Sequence, residues 1–315
     1  TKKLELNKDV EIIVDPEALK DSKPQTKSAR SRPVKIRSER ASFLQQTMQL
    51  TFEGGVTVEQ DRDLMSGENL YATLNDQKRL QKLEIRTNSY LRSMEEGRSA
   101  EVHAVDMDFF LDKDQRLERA VAMRQAGGKS LDADSEVQLN GANMIEVLFQ
   151  AQGDRSLLKQ MRTEGRSVIN LSAPKSKAND PRSANKRLTA DAVKLVWRVS
   201  GRDLDKAEAV GNAELFVDPV IKNSAADKKT LTASRIDCDF FETGNLARTF
   251  IASGGAKAVI EPVQQVEDRG TRTLTSQKMT AVFVKDTQDV ERMDAQGDAK
   301  FNEADRNGVA ANISF

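Results

Sequence analysis

A short phrase recurs about seven times along this chain, and such self-similarity constrains the fold more than any single residue does. Each copy starts at a small residue, continues through alternating apolar and polar positions to a turn and a leucine, and ends in a second segment rich in alanine and glycine. The clearest first segments span 188–197, 231–240 and 274–283. Serial copies predict stacked units with insertions confined to the connections.

The small residue at the start of each copy, which we call its anchor, gives the period. The anchors lie 29 to 49 residues apart and are Ser38, Gly67, Ala100, Gly141, Ala190, Ala233, Ser276 and Ala310. Because a repeat array grows by adding units, the 315 residues are predicted to form one continuous body over 1–315. Connections rich in Lys, Ser, Asp and Pro are predicted to be solvated loops along one rim, at 16–33, 172–187, 219–229 and 262–272.

The first segment of each copy alternates with a period of two. Val193, Leu195 and Trp197 fall on one face, while Lys194 and Arg198 fall on the other. A period of two across several copies predicts β-strands.

The second segments are ambiguous, because 117–124 and 204–209 have good helix propensity. Mid-segment glycines such as Gly211 and Gly254, with alternation continuing beyond them, favour strands instead. Each unit is therefore predicted to be two antiparallel strands joined by a turn, such as 200–203 or 242–245. The fold class predicted from the residues is all-β.

Composition excludes several function classes. Lys plus Arg and Asp plus Glu are both 49, so the net charge is zero and implies no general attraction to nucleic acid. No apolar run is long enough to span a membrane. One histidine, one cysteine and two tyrosines leave few catalytic candidates, so an enzyme is not expected, and no metal site or cofactor is predicted.

Both ends of the chain resemble parts of a repeat. Residues 6–16 match the closing strand at 210–219, and 308–315 cover only an opening strand. The sequence is therefore expected to begin and end inside units, with a leader, a membrane anchor or further repeats removed.

The recurring Leu-Thr-Ala start, alternating apolar residues, turn, leucine and Ala-x-Gly-x-Ala strand resemble the OstA-like repeat of the lipopolysaccharide-transport periplasmic proteins. This is the LptA and LptC family, whose repeat is also present in LptD, and an extended or fused form fits the length. The resemblance implies an elongated, twisted, open β-jellyroll whose two sheets form a V-shaped trough. It also implies a periplasmic location, with tethering to the inner membrane by an N-terminal segment as one alternative.

The implied function is a lipid-transfer bridge that carries lipopolysaccharide in a hydrophobic groove from the inner to the outer membrane. The implied partners are lipopolysaccharide or a similar lipid and other Lpt components joined by head-to-tail strand addition, including an inner-membrane ATP-driven transporter. The predicted groove residues are the large apolar residues of the first strands: Leu70, Val105, Met107, Val193, Leu195, Trp197, Ile236, Phe240, Met279 and Phe283. The facing residues of the second strands are Ala and Gly, which leaves width for acyl chains.

A second interpretation needs only the repeat. Large and small side chains that interdigitate make a closed, dry core, and the protein is then a structural or adhesive β-scaffold. On either interpretation Cys238 is predicted to be a small core residue, and His103 to lie on the inner face near a rim.

Overall fold

The computed structural model describes residues 3–14, 33–264, 269–303 and 306–314, and it contains eighteen strands within these ranges. Most of the predicted loop at 16–33 lies outside the described residues. The first nine strands are β1 (Lys3–Val14), β2 (Val34–Leu44), β3 (Gln49–Gln60), β4 (Asp63–Leu74), β5 (Leu80–Glu95), β6 (Arg98–Leu111), β7 (Leu117–Asp132), β8 (Glu136–Gln152) and β9 (Arg155–Glu164). The others are β10 (Ser167–Leu171), β11 (Ala184–Ala190), β12 (Ala192–Trp197), β13 (Leu204–Pro219), β14 (Asp227–Phe240), β15 (Ala247–Pro262), β16 (Arg272–Phe283), β17 (Val290–Glu303) and β18 (Arg306–Ser314).

Most strands pair antiparallel with their neighbours along the chain, but β10 also pairs with β8 and β12 with β9. β1 to β6 form one run of pairs and β13 to β18 another. β11 and β12 both pair with β13, because one long strand is interrupted at Asp191. The only helical element in the described ranges is a 3-10 turn at Lys175–Lys177. The all-β prediction is confirmed.

The ambiguous second segments are strands. Residues 117–124 lie in β7 and residues 204–209 in β13. Their helix propensity is overridden because alternate side chains are buried against the neighbouring strands.

The chain divides into two compact units. Unit 1 comprises Thr1–Ser130 and Phe149–Ser156, and unit 2 comprises Leu131–Leu148 and Leu157–Phe315. The single body over 1–315 stays a prediction.

Most second strands contain a sharp kink near their middle. In seven strands, two successive residues have positive φ: Lys8 and Asp9, Gly54 and Gly55, Thr87 and Asn88, Arg124 and Gln125, Gly211 and Asn212, Gly254 and Gly255, and Gly297 and Asp298. At each kink with a known register, two residues stand opposite one residue of the paired strand, as in a β-bulge. In β13, for example, Gly211 and Asn212 stand opposite Ser234.

The kinks divide each unit into two arms. Arm 1 is made of the strand segments on the Leu-Thr-Ala side of the kinks, such as 227–232 and 256–262. Arm 2 is made of the segments on the other side, such as 235–240 and 247–253. Because a bulge bends its strand, the inner faces of the two arms turn towards each other within a unit.

The register corrects one anchor. Ser89 pairs with Ala104, as Ala213 pairs with Ala233, so Ala104 and not Ala100 is the anchor of its copy. The error arose because β5 forms its kink from Thr87 and Asn88, which provide no glycine signal. His103 is consequently exposed instead of facing inward.

The predicted loops lie between strands, as expected, but they are shorter than predicted. β11 begins at Ala184 and β14 begins at Asp227, so the loops before them occupy 172–183 and 220–226. Successive loops are hydrogen-bonded, since the Val220 amide donates to the Ser183 carbonyl (2.9 Å) and the Val263 amide to the Ala226 carbonyl (2.9 Å).

The two glycines of the β15 kink should respond differently to alanine. Both have left-handed φ, which costs a non-glycine residue about 1–2 kcal/mol. A Cβ on Gly254 would also lie 2.7 Å from Ser234 Cβ, whereas a Cβ on Gly255 would meet no atom within 4 Å. We expect Gly254→Ala to lower the free energy of unfolding by at least about 1 kcal/mol more than Gly255→Ala, measured by urea denaturation. Equal losses would show that the contact with Ser234 does not matter.

Candidate functional site

The inner face of arm 2 in unit 2 begins with a row of alternating large and small residues directly beside the kinks. Cross-strand pairing sets this row in the order Val193, Ala209, Ile236, Ala252, Met279 and Ala295. All six are buried, with Ile236 3% and Ala252 1% exposed. The predicted asymmetry of large first strands and small second strands therefore holds at this row.

On the arm 1 side of the same kinks the row is uniformly small. Ala213 pairs with Ala233, Ala256 with Ser276, and Ala299 with Ala310. Hydroxyl groups also satisfy backbone carbonyls here: Ser276 Oγ donates to the Lys278 carbonyl (2.9 Å). The small row lets the arms approach closely, so the apex between them is packed and dry.

Further from the kinks, the inner faces remain apolar, and most of their large side chains are only half-buried, although Cys238 is buried. On arm 2 a second row contains Leu195, Phe250 and Met293, and beyond it lie Trp197, Phe240 and Phe283. Phe250 and Phe283 meet edge to face, with ring centroids 5.5 Å apart. This graded burial leaves apolar surface open to solvent between the arms.

Arm 1 carries a corresponding row of apolar residues, which are paired across neighbouring strands. The row runs through Leu139, Ile169, Leu188, Leu215, Leu231, Ala258, Leu274 and Phe301. Most of these side chains are again half-buried. The sequence analysis did not predict this row. The leucine of each Leu-Thr-Ala phrase, two residues before the anchor, was an available signal.

The electrostatic environment of Cys238 and Lys186 shows that the two arms face a common space in unit 2. Cys238 lies on arm 2 and Lys186 on arm 1, and each affects the pKa of the other. Burial, with a smaller effect of Asp239, raises the pKa of the Cys238 thiol to about 12, although Lys186 acts in the opposite direction. Cys238 is thus a buried thiol and not a nucleophile.

The outer face is polar and paired. Lys194 lies 3.8 Å from Glu208, and Lys206 lies 3.6 Å from Asp239. Exposed ion pairs of this kind add little stability, but they give each strand a polar outer face opposite its apolar inner face.

Unit 1 is built differently beside its kinks. The equivalent row runs in the order Leu6, Ala41, Phe52, Leu70, Ile85 and Met107, and from Phe52 onward both strands of each pair carry a large residue. A Cβ on Gly67 would clash with Ile85, so the arms are in tight contact at this apex. The residues that line this apex leave no cavity large enough for a water molecule, and they are Val56, Val58, Met65, Ser66, Gly67, Leu70 and Ile85. A ligand pocket typically measures about 300–1,000 Å³.

The structure places the ten predicted groove residues at three depths. Buried beside the kinks are Leu70, Met107, Val193, Ile236 and Met279. Half-buried further out are Leu195, Trp197, Phe240 and Phe283. Val105 does not share these rows, because it stands opposite the bulge residues Thr87 and Asn88.

The described part of the chain has no helix long and apolar enough to cross a bilayer. Within the same ranges, no group of three or more His, Cys, Asp and Glu side chains is arranged to hold a metal ion.

Comparison with known proteins identifies one family. Residues 35–146 match the family described as LptA/(LptD N-terminal domain) LPS transport protein. This match confirms the recognition of an OstA-like lipopolysaccharide-transport domain in the chain. It covers little more than a third of the 315 residues. No curated protein sequence matches the chain.

One similar solved structure is LptH, the LptA homologous periplasmic component of the lipopolysaccharide transport device from Pseudomonas aeruginosa. It is 15% identical, and the alignment covers 38% of this chain and 78% of that chain with a TM-score of 0.30. This TM-score is too low for the superposition to support a conclusion.

The raised pKa of Cys238 predicts a loss of stability at alkaline pH. Below pH 9 the thiol is protonated in both the folded and the unfolded state, and its ionisation does not affect folding. Between pH 9 and about 12 only the unfolded thiol ionises, so the free energy of unfolding falls by up to about 1.4 kcal/mol per pH unit. We expect Cys238→Ala to show a smaller decline than the wild type in urea denaturation from pH 8 to 10.5. Parallel declines would contradict the assignment.

Proposed function

We propose, from the OstA-like domain at residues 35–146 and the repetition of its kinked strand pairs in unit 2, that the protein carries lipopolysaccharide between membranes. The lipid's acyl chains occupy the groove between arm 1 and arm 2. The protein acts in the periplasm as a bridge or chaperone from the inner to the outer membrane, and it performs no catalysis.

The observation that carries this proposal is the graded burial of the inner faces. Apolar residues beside the kinks are buried, whereas equally apolar residues further out, such as Leu215 and Phe240, stay half-exposed to the space between the arms. A scaffold with a filled core would bury both sets. Each methylene group of a bound acyl chain that is buried against this surface contributes roughly 0.8 kcal/mol to the free energy of binding.

Movement along the groove follows from its regularity. The second arm 2 row places the large residues Leu195, Phe250 and Met293 on β12, β15 and β17, with smaller residues on the strands between them. Arm 1 repeats a leucine or a similar residue at every pair. Sites of similar affinity in series let an acyl chain step from one to the next. The direction is set by a partner that hydrolyses ATP, which we propose is an inner-membrane transporter.

The terminal strands supply surfaces for other Lpt components. β1 pairs with β2 and β18 pairs with β17, and the side chains Leu4, Ile13 and Val309 of these strands are more than 60% exposed. Open strand edges accept a further strand from a neighbouring chain through backbone hydrogen bonds. Head-to-tail addition of this kind would continue the groove from one component into the next.

The filled-core alternative rests on unit 1, where large residues meet at the apex and leave no cavity that would hold a water molecule. The half-buried rows Ile36, Val58 and Met65 of arm 1 nevertheless continue the inner apolar face there. We therefore expect the packed apex to be the floor of a groove.

Site-specific photo-crosslinking in cells tests the groove directly. A photoreactive residue at Leu195, Phe240 or Leu215 should capture lipopolysaccharide, because these positions face the space between the arms. The same residue at Lys194 or Asp239 should not, because both lie on the outer face. Equal capture by both sets, or capture by neither, would exclude the groove and favour the scaffold.

A further inference from the structure

The three best-matched copies of unit 2 carry a cation and an aromatic residue at fixed distances from the anchor. Four residues before Ala190, Ala233 and Ser276 stand Lys186, Lys229 and Arg272. Seven residues after the same anchors stand Trp197, Phe240 and Phe283. No copy in unit 1 has this combination: the anchor Gly67, for example, has Asp63 and Leu74 at these two positions.

The cations form one line along arm 1. Lys186 pairs with Val217, Val217 with Lys229, Lys229 with Ile260, and Ile260 with Arg272. Since paired strands lie about 4.8 Å apart, a positive charge recurs roughly every 9.6 Å along the groove. The line lies one step outward from the leucine row, so it forms the lip of arm 1.

Lys186 shows that this lip faces inward. Its neighbour Arg187 is on the outer face, where the guanidinium covers the ring of Phe216 (5.1 Å). Lys186 itself is exposed to solvent, although neighbouring protein atoms partly desolvate its ammonium group. Burial lowers the pKa of the Lys186 ammonium, and the positive charge of Lys177 acts in the same direction.

Two of these charges have no partner among the described residues. Arg272 is held by Asp227 (2.7 Å) and lies 3.9 Å from Glu303. Neither Lys186 nor Lys229 forms an ion pair within the described ranges. An ammonium left without a counter-ion between protein walls is stabilised by an anion that binds there.

The lip of arm 2 carries no charged inner-face residue at the same distance from the kinks. Trp197, Phe240 and Phe283 make it aromatic, and Val199 beyond Trp197 is 73% exposed. The mouth of the groove is therefore cationic at Lys186 and Lys229 on arm 1 and apolar along arm 2. An amphiphile that fits this mouth carries its negative charge next to its hydrocarbon chains.

We propose that Lys186 and Lys229 bind the phosphate group of a lipid whose acyl chains lie between the arms of unit 2. This assignment rests on the proposed function. It adds the residues that bind the headgroup and places the headgroup at the lip of arm 1. Lysine is a common phosphate ligand because its compact charge and three donors need no fixed orientation. The spacing along the lip lets a phosphate pass from one lysine to the next as the chains move.

The test uses the full chain and its only tryptophan, Trp197, as a fluorescent probe on the opposite lip. Lysophosphatidic acid and the monoacylglycerol with the same acyl chain differ by the phosphate alone. We expect the wild type to bind lysophosphatidic acid about tenfold more tightly, which is the effect of a single charge-assisted hydrogen bond. The preference should shrink as salt is raised, because these lysines are exposed.

The double variant Lys186→Gln and Lys229→Gln should lose this preference and keep its affinity for the monoacylglycerol, which also shows that it is folded. The matched control is Lys257→Gln with Lys300→Gln, which removes two exposed charges from the outer face of the same unit. The control should bind both amphiphiles like the wild type.

The outcomes separate this inference from the proposed function. Equal binding of the two amphiphiles by the wild type, or an unchanged preference in the double variant, would overturn the phosphate site and leave the groove intact. Glycerol phosphate binding as tightly as lysophosphatidic acid would also overturn it, because the acyl chain would then contribute nothing. Binding of neither amphiphile would overturn the groove itself.

Discussion

The paired left-handed residues in the second strands are the constraint on which the other features depend. A regular strand of 16 residues such as β13 would present one flat inner face. Two residues with positive φ at Gly211 and Asn212 bend the strand and set two residues against one, and the same device recurs in six other strands. Everything described as a groove follows from the two arms that these bends create.

Once the arms exist, the size of the side chains beside the kinks decides how far they close. In unit 2 the residues Ala213, Ala233 and Ala256 let the alternating row of Ile236 and its neighbours pack against them and seal the apex. Surface further out cannot be covered in the same way, because the arms have already diverged there. Hydrophobic surface is thereby kept available without a large internal cavity, which would destabilise an empty protein.

The sequence predicted the strands and their antiparallel pairing, since both depend on local periodicity, while its choice of groove residues stays a prediction. It did not predict the kinks at Thr87–Asn88 and Arg124–Gln125, because residues other than glycine adopt left-handed φ there and leave no compositional signal. That gap shifted one anchor by four residues, to Ala100. The apolar row of arm 1 was not predicted for another reason. Its leucines lie before the anchor, and only knowledge of the bend shows that they face the same space as the arm 2 rows.

The hairpin turns along the arm 2 lip are tied to one another. The Leu204 amide donates to Asn245 Oδ1 (2.7 Å), the Gly244 amide donates to Asp203 Oδ1 (3.1 Å), and the Ala247 amide donates to Gln288 Oε1 (2.9 Å). Because each turn is bonded to the next, one hairpin cannot swing outward alone without breaking these bonds. The three hairpins are therefore joined along this lip by side-chain hydrogen bonds in addition to strand pairing, so displacing one of them would also disturb the next.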